Sequence, residues 1–444
     1  MNVLLISTYE LGRQPVHVAS PAAALEASGH TVKAIDLAVQ QWDPALVDWA
    51  DTVAISTPMH TAMRLAISVC RRIKDRRPDL PVAAYGLYAG MMNEEESDLF
   101  DRAIVGEYEN TLVQWVAGQH SDEPVTVHLD RGGFRNPDRS ILPSLDHYAH
   151  LSVNGEERLV GAVEASHGCV HLCRHCPIPV VYNGTLRIVD AETVLADIDQ
   201  QVASGARHIT FGDPDFLNGP AHSLRIIRAM HERHPDVTFD CTVKVEHILA
   251  HADIWDEFAS AGCLFVVSAF ESMNDDVLIK LDKGHTAEDA ARAVHLLRDA
   301  GIDIRPSWLP FTPWTTREDI DAMFRFISSH DLIESTDPVQ MGIRLLIPAG
   351  SLVLDIDGID RFIGQYDSIA LTHEWTSDDP AMDALSETLM NIAEQASTDG
   401  LSTTDTFMQQ WLAVTDGTDL EAPTVAIDQG ATLGRPKLTE SWFC

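Results

Sequence analysis

Apolar positions in the first 120 residues fall into short unbroken runs separated by amphipathic stretches. Residues 3–7, 31–36, 52–57, 81–85 and 102–105 read as strands, and residues 20–28 and 62–77 as helices. Strands that are apolar throughout, alternating with helices, predict a doubly wound parallel sheet, an α/β arrangement. Ligands of such sheets sit beyond the strand C-termini, here marked by Ser7, Thr57 and Gly86. Residues 121–158 lose the rhythm and read as a linker. It returns with strands at 159–165, 208–211, 238–243, 264–269, 303–308 and 339–345, and with amphipathic helices at 191–204, 222–234, 275–281 and 287–300. Six such units predict a partial (β/α)6 barrel rather than a complete eight-fold one. The barrel is assigned to 159–375. A mostly helical extension fills 376–444, with helices at 381–396 and 406–414.

Composition narrows the classes. The chain has 444 residues, with 67 acidic against 31 basic side chains and a net charge of -36. Only six residues are Lys, and no basic patch stands out against that field. A nucleic-acid partner is therefore not expected. The longest apolar run is too short to cross a membrane, and the N-terminus has no basic signal-peptide start. These features predict a cytoplasmic protein with no membrane partner. Seven cysteines, an odd number scattered over a long chain, do not read as a disulfide framework.

Three of them crowd into the segment after the first barrel strand: Glu164-Ala165-Ser166-His167-Gly168-Cys169-Val170-His171-Leu172-Cys173-Arg174-His175-Cys176-Pro177. Cys169, Cys173 and Cys176 have the spacing C-x3-C-x2-C. Three thiolates on one loop can hold three irons of a [4Fe–4S] cluster and leave the fourth without a protein ligand. His167, His171 and His175 keep a Cys3His zinc site as the alternative, although structural zinc sites draw paired ligands from two separated places. Cys70, Cys241 and Cys263 lie in apolar contexts and read as buried, inert thiols.

The C-x3-C-x2-C loop after a strand resembles the radical S-adenosylmethionine (SAM) superfamily. With the preceding open α/β domain, the chain resembles its B12-binding-domain class over about residues 1–375. The resemblance implies a [4Fe–4S] cluster, SAM chelated at the open iron and a reductant such as flavodoxin or ferredoxin. Two departures stand out. The aromatic residue usual before the third cysteine is His175. The cobalt-ligating D-x-H-x-x-G of many cobalamin domains is replaced by Ser7-Thr8-Tyr9-Glu10-Leu11-Gly12, which offers no imidazole. Cobalamin would bind without a protein histidine or be absent.

Further expectations follow the strand ends. By resemblance, Asp213 in Phe211-Gly212-Asp213-Pro214-Asp215 would receive the methionine amino group. Strand alternation would put Lys244 and Glu246 on one face, as a substrate site or an ion pair. Glu271 and Ser272 match the superfamily's fourth-strand turn and would lie near SAM. Arg305 and Arg344, at strands five and six, would hold a carboxylate or cap the rim. The final Ser441-Trp442-Phe443-Cys444 resembles the start of a Cys-Cys or Cys-selenocysteine-Ala-Glu-Pro (CCAEP/CUAEP) tail, apparently truncated at the tail thiol Cys444. The expected function is radical chemistry on a small-molecule substrate: 5′-deoxyadenosyl chemistry with rearrangement or methyl transfer, or 3-amino-3-carboxypropyl transfer to a soft atom such as arsenic or sulfur. The alternative is a non-catalytic iron–sulfur or zinc sensor.

Overall fold

A computed structural model describes residues 1–91, 98–119, 123–129, 134–421 and 435–440. The first sheet is wholly parallel: β1 (Asn2–Ser7), β2 (Thr31–Asp36), β3 (Thr52–Ser56), β4 (Val82–Tyr85), β5 (Arg102–Gly106) and β6 (Val125–His128), in the order β2-β1-β3-β4-β5-β6. The inner strands β3, β4 and β5 are buried at every position, which explains their lack of polar alternation. The sixth strand falls at residues 125–128, within the stretch read as linker, and its side chains alternate between exposed and half-buried as an edge strand's do.

The second sheet begins with the hairpin β7 (His150–Val153) and β8 (Glu156–Val163). A small hairpin, β9 (Ser166–Gly168) with β10 (Leu186–Ile188), leaves its end. β11 (His208–Phe211), β12 (Thr238–Thr242), β13 (Cys263–Glu271) and β14 (Asp303–Trp308) then add in parallel to β8, forming a curled half-barrel. Ile209, Phe211, Phe239, Cys241 and Ile304 join the helix-packed core. The two-stranded β15 (Ile363–Asp367) and β16 (Thr372–Trp375) follow. Helices Pro380–Asp399 and Thr403–Thr415 form the C-terminal layer, and β17 (Lys437–Leu438) pairs with β7.

The sixth barrel strand expected at 339–345 is reduced to one bridge, Phe311 to Arg344. Asp337 caps Val339 N–H, and Pro338 opens a 3-10 turn over Pro338–Gly342, so the segment coils where extension was expected. The α/β class and the half-barrel architecture stand.

The two sheets meet at their C-terminal edges. The loop after β1 reaches the barrel, where the Gly12 carbonyl accepts from Ala149 N–H and Arg13 lies against Gly212. Arg139, only 6% exposed, fastens the arrangement. Its guanidinium donates to both carboxylate oxygens of Asp197, to the Gln14 carbonyl and to the Ala162 carbonyl.

Candidate active site

The cysteine loop is presented by the β9–β10 hairpin at the barrel mouth. Gly168 turns the chain there with φ +75°; a Cβ would lie 2.3 Å from the Thr185 carbonyl oxygen, so only glycine fits. Cys176 N–H donates to the Cys173 carbonyl, closing a tight turn. Arg174 anchors the loop across the mouth, its backbone N–H donating to Leu281 O and its side chain to Lys280 O. Asn218 Nδ2 donates to Cys169 Sγ at 3.5 Å. All three thiols are free. Burial pushes the Cys176 thiol up to about 12. Metal ions offset that penalty by stabilising a thiolate.

Lys283, 3% exposed, stands beside this loop, in the field of Cys173 and Cys176. Its Nζ donates to Glu271 Oε1 at 3.1 Å, and His175 Nε2 lies 3.0 Å from the same oxygen. Burial opposes both charges. It is outweighed on Glu271 by Lys283 and His175, so that carboxyl sits well below its ordinary range, and on Lys283 by Glu271 and the thiols, so that ammonium is raised. Glu271 holds φ +63° at the irregularity between β13 and β14, where Leu309 N–H donates to its carbonyl. That backbone region is costly for a non-glycine residue and is maintained here by surrounding bonds. Ser272 is buried beside it, accepting from Asn274 N–H.

Other expected residues are placed differently. Asp213 has both oxygens engaged, by Ala165 N–H at 2.9 Å and Ser166 Oγ at 2.6 Å. It therefore anchors the segment leading to the cysteines; burial pushes its carboxyl up to about 7. Lys244 and Glu246 do not share a strand face. β12 stops at Thr242, and Lys244 begins the helix Val245–Ala250. They meet as an ion pair at 3.1 Å, with Lys244 Nζ also 3.1 Å from His171 Nδ1. Arg305 lies over Phe265 and donates to Pro436 O, against the C-terminal segment. Arg344 stacks on Trp375 and pairs with Asp383 at 2.6 Å, docking the helix Pro380–Asp399. Neither arginine joins the cysteine loop. Cys444 lies outside the described residues.

Two groups were missed in the sequence. Asp215, 2% exposed, faces His171 and His247 close to Cys169. Between the two sheets runs a chain of carboxylates and imidazoles. His17 contacts Glu10 at 2.9 Å and Glu164 at 3.5 Å; His167 contacts Glu164 at 3.1 Å and Glu107 at 3.0 Å; Tyr182 OH donates to Glu107. Its members come from separated stretches of the chain, and apart from Glu164 and His167, three residues apart, no local spacing links them.

The three thiols differ in span from a single-ion site. Among the described residues, the one group of His, Cys, Asp and Glu with ligand atoms all within 4.8 Å of one another is His171, Asp215 and His247. The three cysteine sulfurs do not form such a group, and buried Lys283 lies in the field of two of them.

Residues 3–116 match the B12 binding domain and residues 163–327 the Radical SAM superfamily. The chain is 25% identical over 289 residues to a hopanoid C-2 methylase of Rhodopseudomonas palustris (64% of this chain, 54% of that protein). It is 24% identical over 272 residues to a bacteriochlorophyllide d C-8(2)-methyltransferase of Chlorobaculum tepidum (58% and 59%). It thus spans a little over half the length of these relatives. The structure resembles the cobalamin-dependent S-adenosylmethionine radical enzyme OxsB with aqua-cobalamin bound, at TM-score 0.72 and 14% identity, over 93% of this chain and 72% of that one. The radical S-adenosylmethionine methyltransferase TsrM from Kitasatospora setae gives TM-score 0.58 and 18% identity, over 74% and 73%. These likenesses establish the fold.

Proposed function

The chain belongs to the class in which a B12-binding domain precedes a radical SAM domain, and from that premise we propose that it is a transferase delivering a methyl group to a small molecule. The observation that carries the reading is the set of three free thiols on one loop at the mouth of a parallel half-barrel, with Lys283, Glu271 and His175 packed against them. The class's cofactors are a [4Fe–4S] cluster and SAM. Such a cluster supplies an open iron for chelation and an electron for sulfonium cleavage.

The chain's own residues have distinct tasks in this reading. Cys169, Cys173 and Cys176 hold the irons. Lys283 offsets the charge of Cys173 and Cys176, and Glu271 fixes the direction of Lys283 and His175. Glu271 and Ser272, on the turn beside the cysteine loop, would contact SAM. Asp213 positions the cysteine segment through Ala165 and Ser166. The facing C-terminal edges of the two sheets provide the site for cobalamin, held without a protein imidazole, because residues 8–14 contain no His and His17 and His167 are engaged by carboxylates. The electron comes from a small protein reductant such as a flavodoxin or ferredoxin.

A second outcome is transfer of the 3-amino-3-carboxypropyl group to arsenic or sulfur. One observation favours it: Tyr9 OH donates to Glu440 Oε1 at 2.8 Å, so the segment leading toward Cys444 passes the loop where the sheets meet. A tail thiol is a soft ligand suited to such atoms. Anaerobic reconstitution with SAM and dithionite separates these outcomes. 5′-Deoxyadenosine or S-adenosylhomocysteine supports the first reading. Methylthioadenosine, left when the other C–S bond breaks, supports the second. A protein carrying stoichiometric zinc, with no iron or sulfide and no SAM cleavage, overturns both.

A further inference from the structure

We propose that residues 435–440 are a latch strand, which closes the open side of the half-barrel and detaches from it while the barrel itself stays folded. Without this segment the second sheet has two free edges, β7 and β14. The segment stands between them. On one side β17 pairs antiparallel with β7, Lys437 opposite Ser152 and Leu438 opposite Leu151, and Thr439 N–H donates to His150 O. On the other side Arg435 pairs with Asp331 and lies 3.6 Å from Asp303, the first residue of β14. Arg305, also on β14, donates to Pro436 O at 3.4 Å. The far end reaches the first domain. Tyr9 OH donates to Glu440, and Gly12 packs so closely that a Cβ there would lie 2.7 Å from the Cβ of Glu440.

The gap filled by the latch leads to the concave side of the half-barrel. Along β13 and β14, Val267, Ala269, Arg305 and Ser307 are half-buried, whereas Val266, Phe270 and Ile304 between them belong to the helix-packed core. Alternation therefore turns the half-buried set toward the concave side. Leu438 packs there on Leu151, Val153, Val160 and Phe265. Its departure uncovers that apolar group and releases Arg305 from Pro436. The concave side lies below the cysteine loop and, on the transferase reading, holds the small molecule; the latch gives it a sideways entrance.

The attachment is weak beside the sheet it completes. None of residues 435–440 is buried. Only two residues form the strand, against four to nine in β8 and in β11 to β14. Asp331 is exposed, and an ion pair with an exposed partner contributes little. An edge with few buried apolar contacts opens locally at a small fraction of the free energy of global unfolding.

The test is hydrogen–deuterium exchange on the full chain, anaerobically loaded with its iron–sulfur cluster, with Leu438→Asn and Arg435→Gln beside the parent. In the parent, residues 435–440 should exchange about tenfold faster or more than β12. Both variants should raise exchange severalfold further there, in 149–154 and in 8–14, and leave β11 and β12 unchanged. Anilinonaphthalenesulfonate fluorescence should rise with them, as Leu151, Val160 and Phe265 become reachable. Iron and sulfide should match the parent, which shows that the variants fold. Exchange in 435–440 as slow as in β12 overturns the proposal, because the segment is then a fixed stave. A rise spread equally over β8, β11 and β12 overturns it as well, as does unchanged exchange in 149–154 in both variants. None of these readouts requires SAM cleavage, so failure of the latch and failure of the transferase reading are told apart.

Discussion

Glu271 shows how one residue can combine an unfavourable backbone with a favourable charge position. Its φ of +63° directs the carboxylate at Lys283 and His175 behind the cysteine loop. Glu271→Ala removes the main partner of a 3%-exposed ammonium. Breaking a buried pair from one side typically costs about 3–5 kcal/mol, because the remaining charge is left uncompensated. The expected outcome is a loss of that order in denaturant unfolding of the cluster-loaded protein. Glu271→Gln should lose less, since its amide oxygen can still accept from Lys283. The depressed carboxyl also sets a pH dependence. Its contribution is present above the unfolded carboxyl's range and is lost as pH falls toward the lower folded value, so acid should weaken the parent and leave Glu271→Gln less affected. Equal stability of parent and Glu271→Ala would make the pair energetically silent.

At the scale of elements, what the sequence revealed was what local pattern encodes. The parallel strands were readable because both faces are buried, as in β3 and β4, and the C-x3-C-x2-C spacing pointed to the loop after the first barrel strand. Lys244 and Glu246 were misread as sharing a strand face because alternation continues on paper past Thr242, whereas the chain turns into a helix. Residues 339–345 failed as a strand because Asp337-Pro338 starts a 3-10 turn. The partners of Asp213, Arg305 and Arg344 come from distant segments, and pattern carries no such pairing. The hairpin that carries the cysteines is itself testable. Gly168→Ala places a methyl 2.3 Å from Thr185 O at a positive φ, so β9 must separate from β10. We expect reconstituted iron per chain to fall severalfold, while far-ultraviolet circular dichroism stays near that of the parent. Full iron loading in Gly168→Ala would show that the hairpin does not control the thiols.

At the scale of the whole molecule, two sheets are joined edge to edge in a chain of net charge -36, and the seam itself is rich in carboxylates. Glu10, Glu107 and Glu164 meet there, with the imidazoles of His17 and His167 between them. Protonated rings convert a repulsive seam into an attractive one. Burial alone would lower His17, but Glu10 and Glu164 outweigh it and raise the imidazole from 6.5 to about 9. A group raised on folding contributes stability that is complete below its unfolded value and disappears as pH climbs through its folded value. The window for His17 is therefore about 6.5 to 9. Across it the denaturation midpoint should fall, with a loss of about 1–3 kcal/mol from this residue. The loss should come from the seam, so cross-domain protease sensitivity should rise over the same range. His17→Gln keeps polarity but cannot carry the charge. It should start less stable near neutrality and change less with pH, so that the two proteins converge on the alkaline side. Parallel pH profiles for parent and His17→Gln would show that the seam is held by Arg139 and packing rather than by its imidazoles.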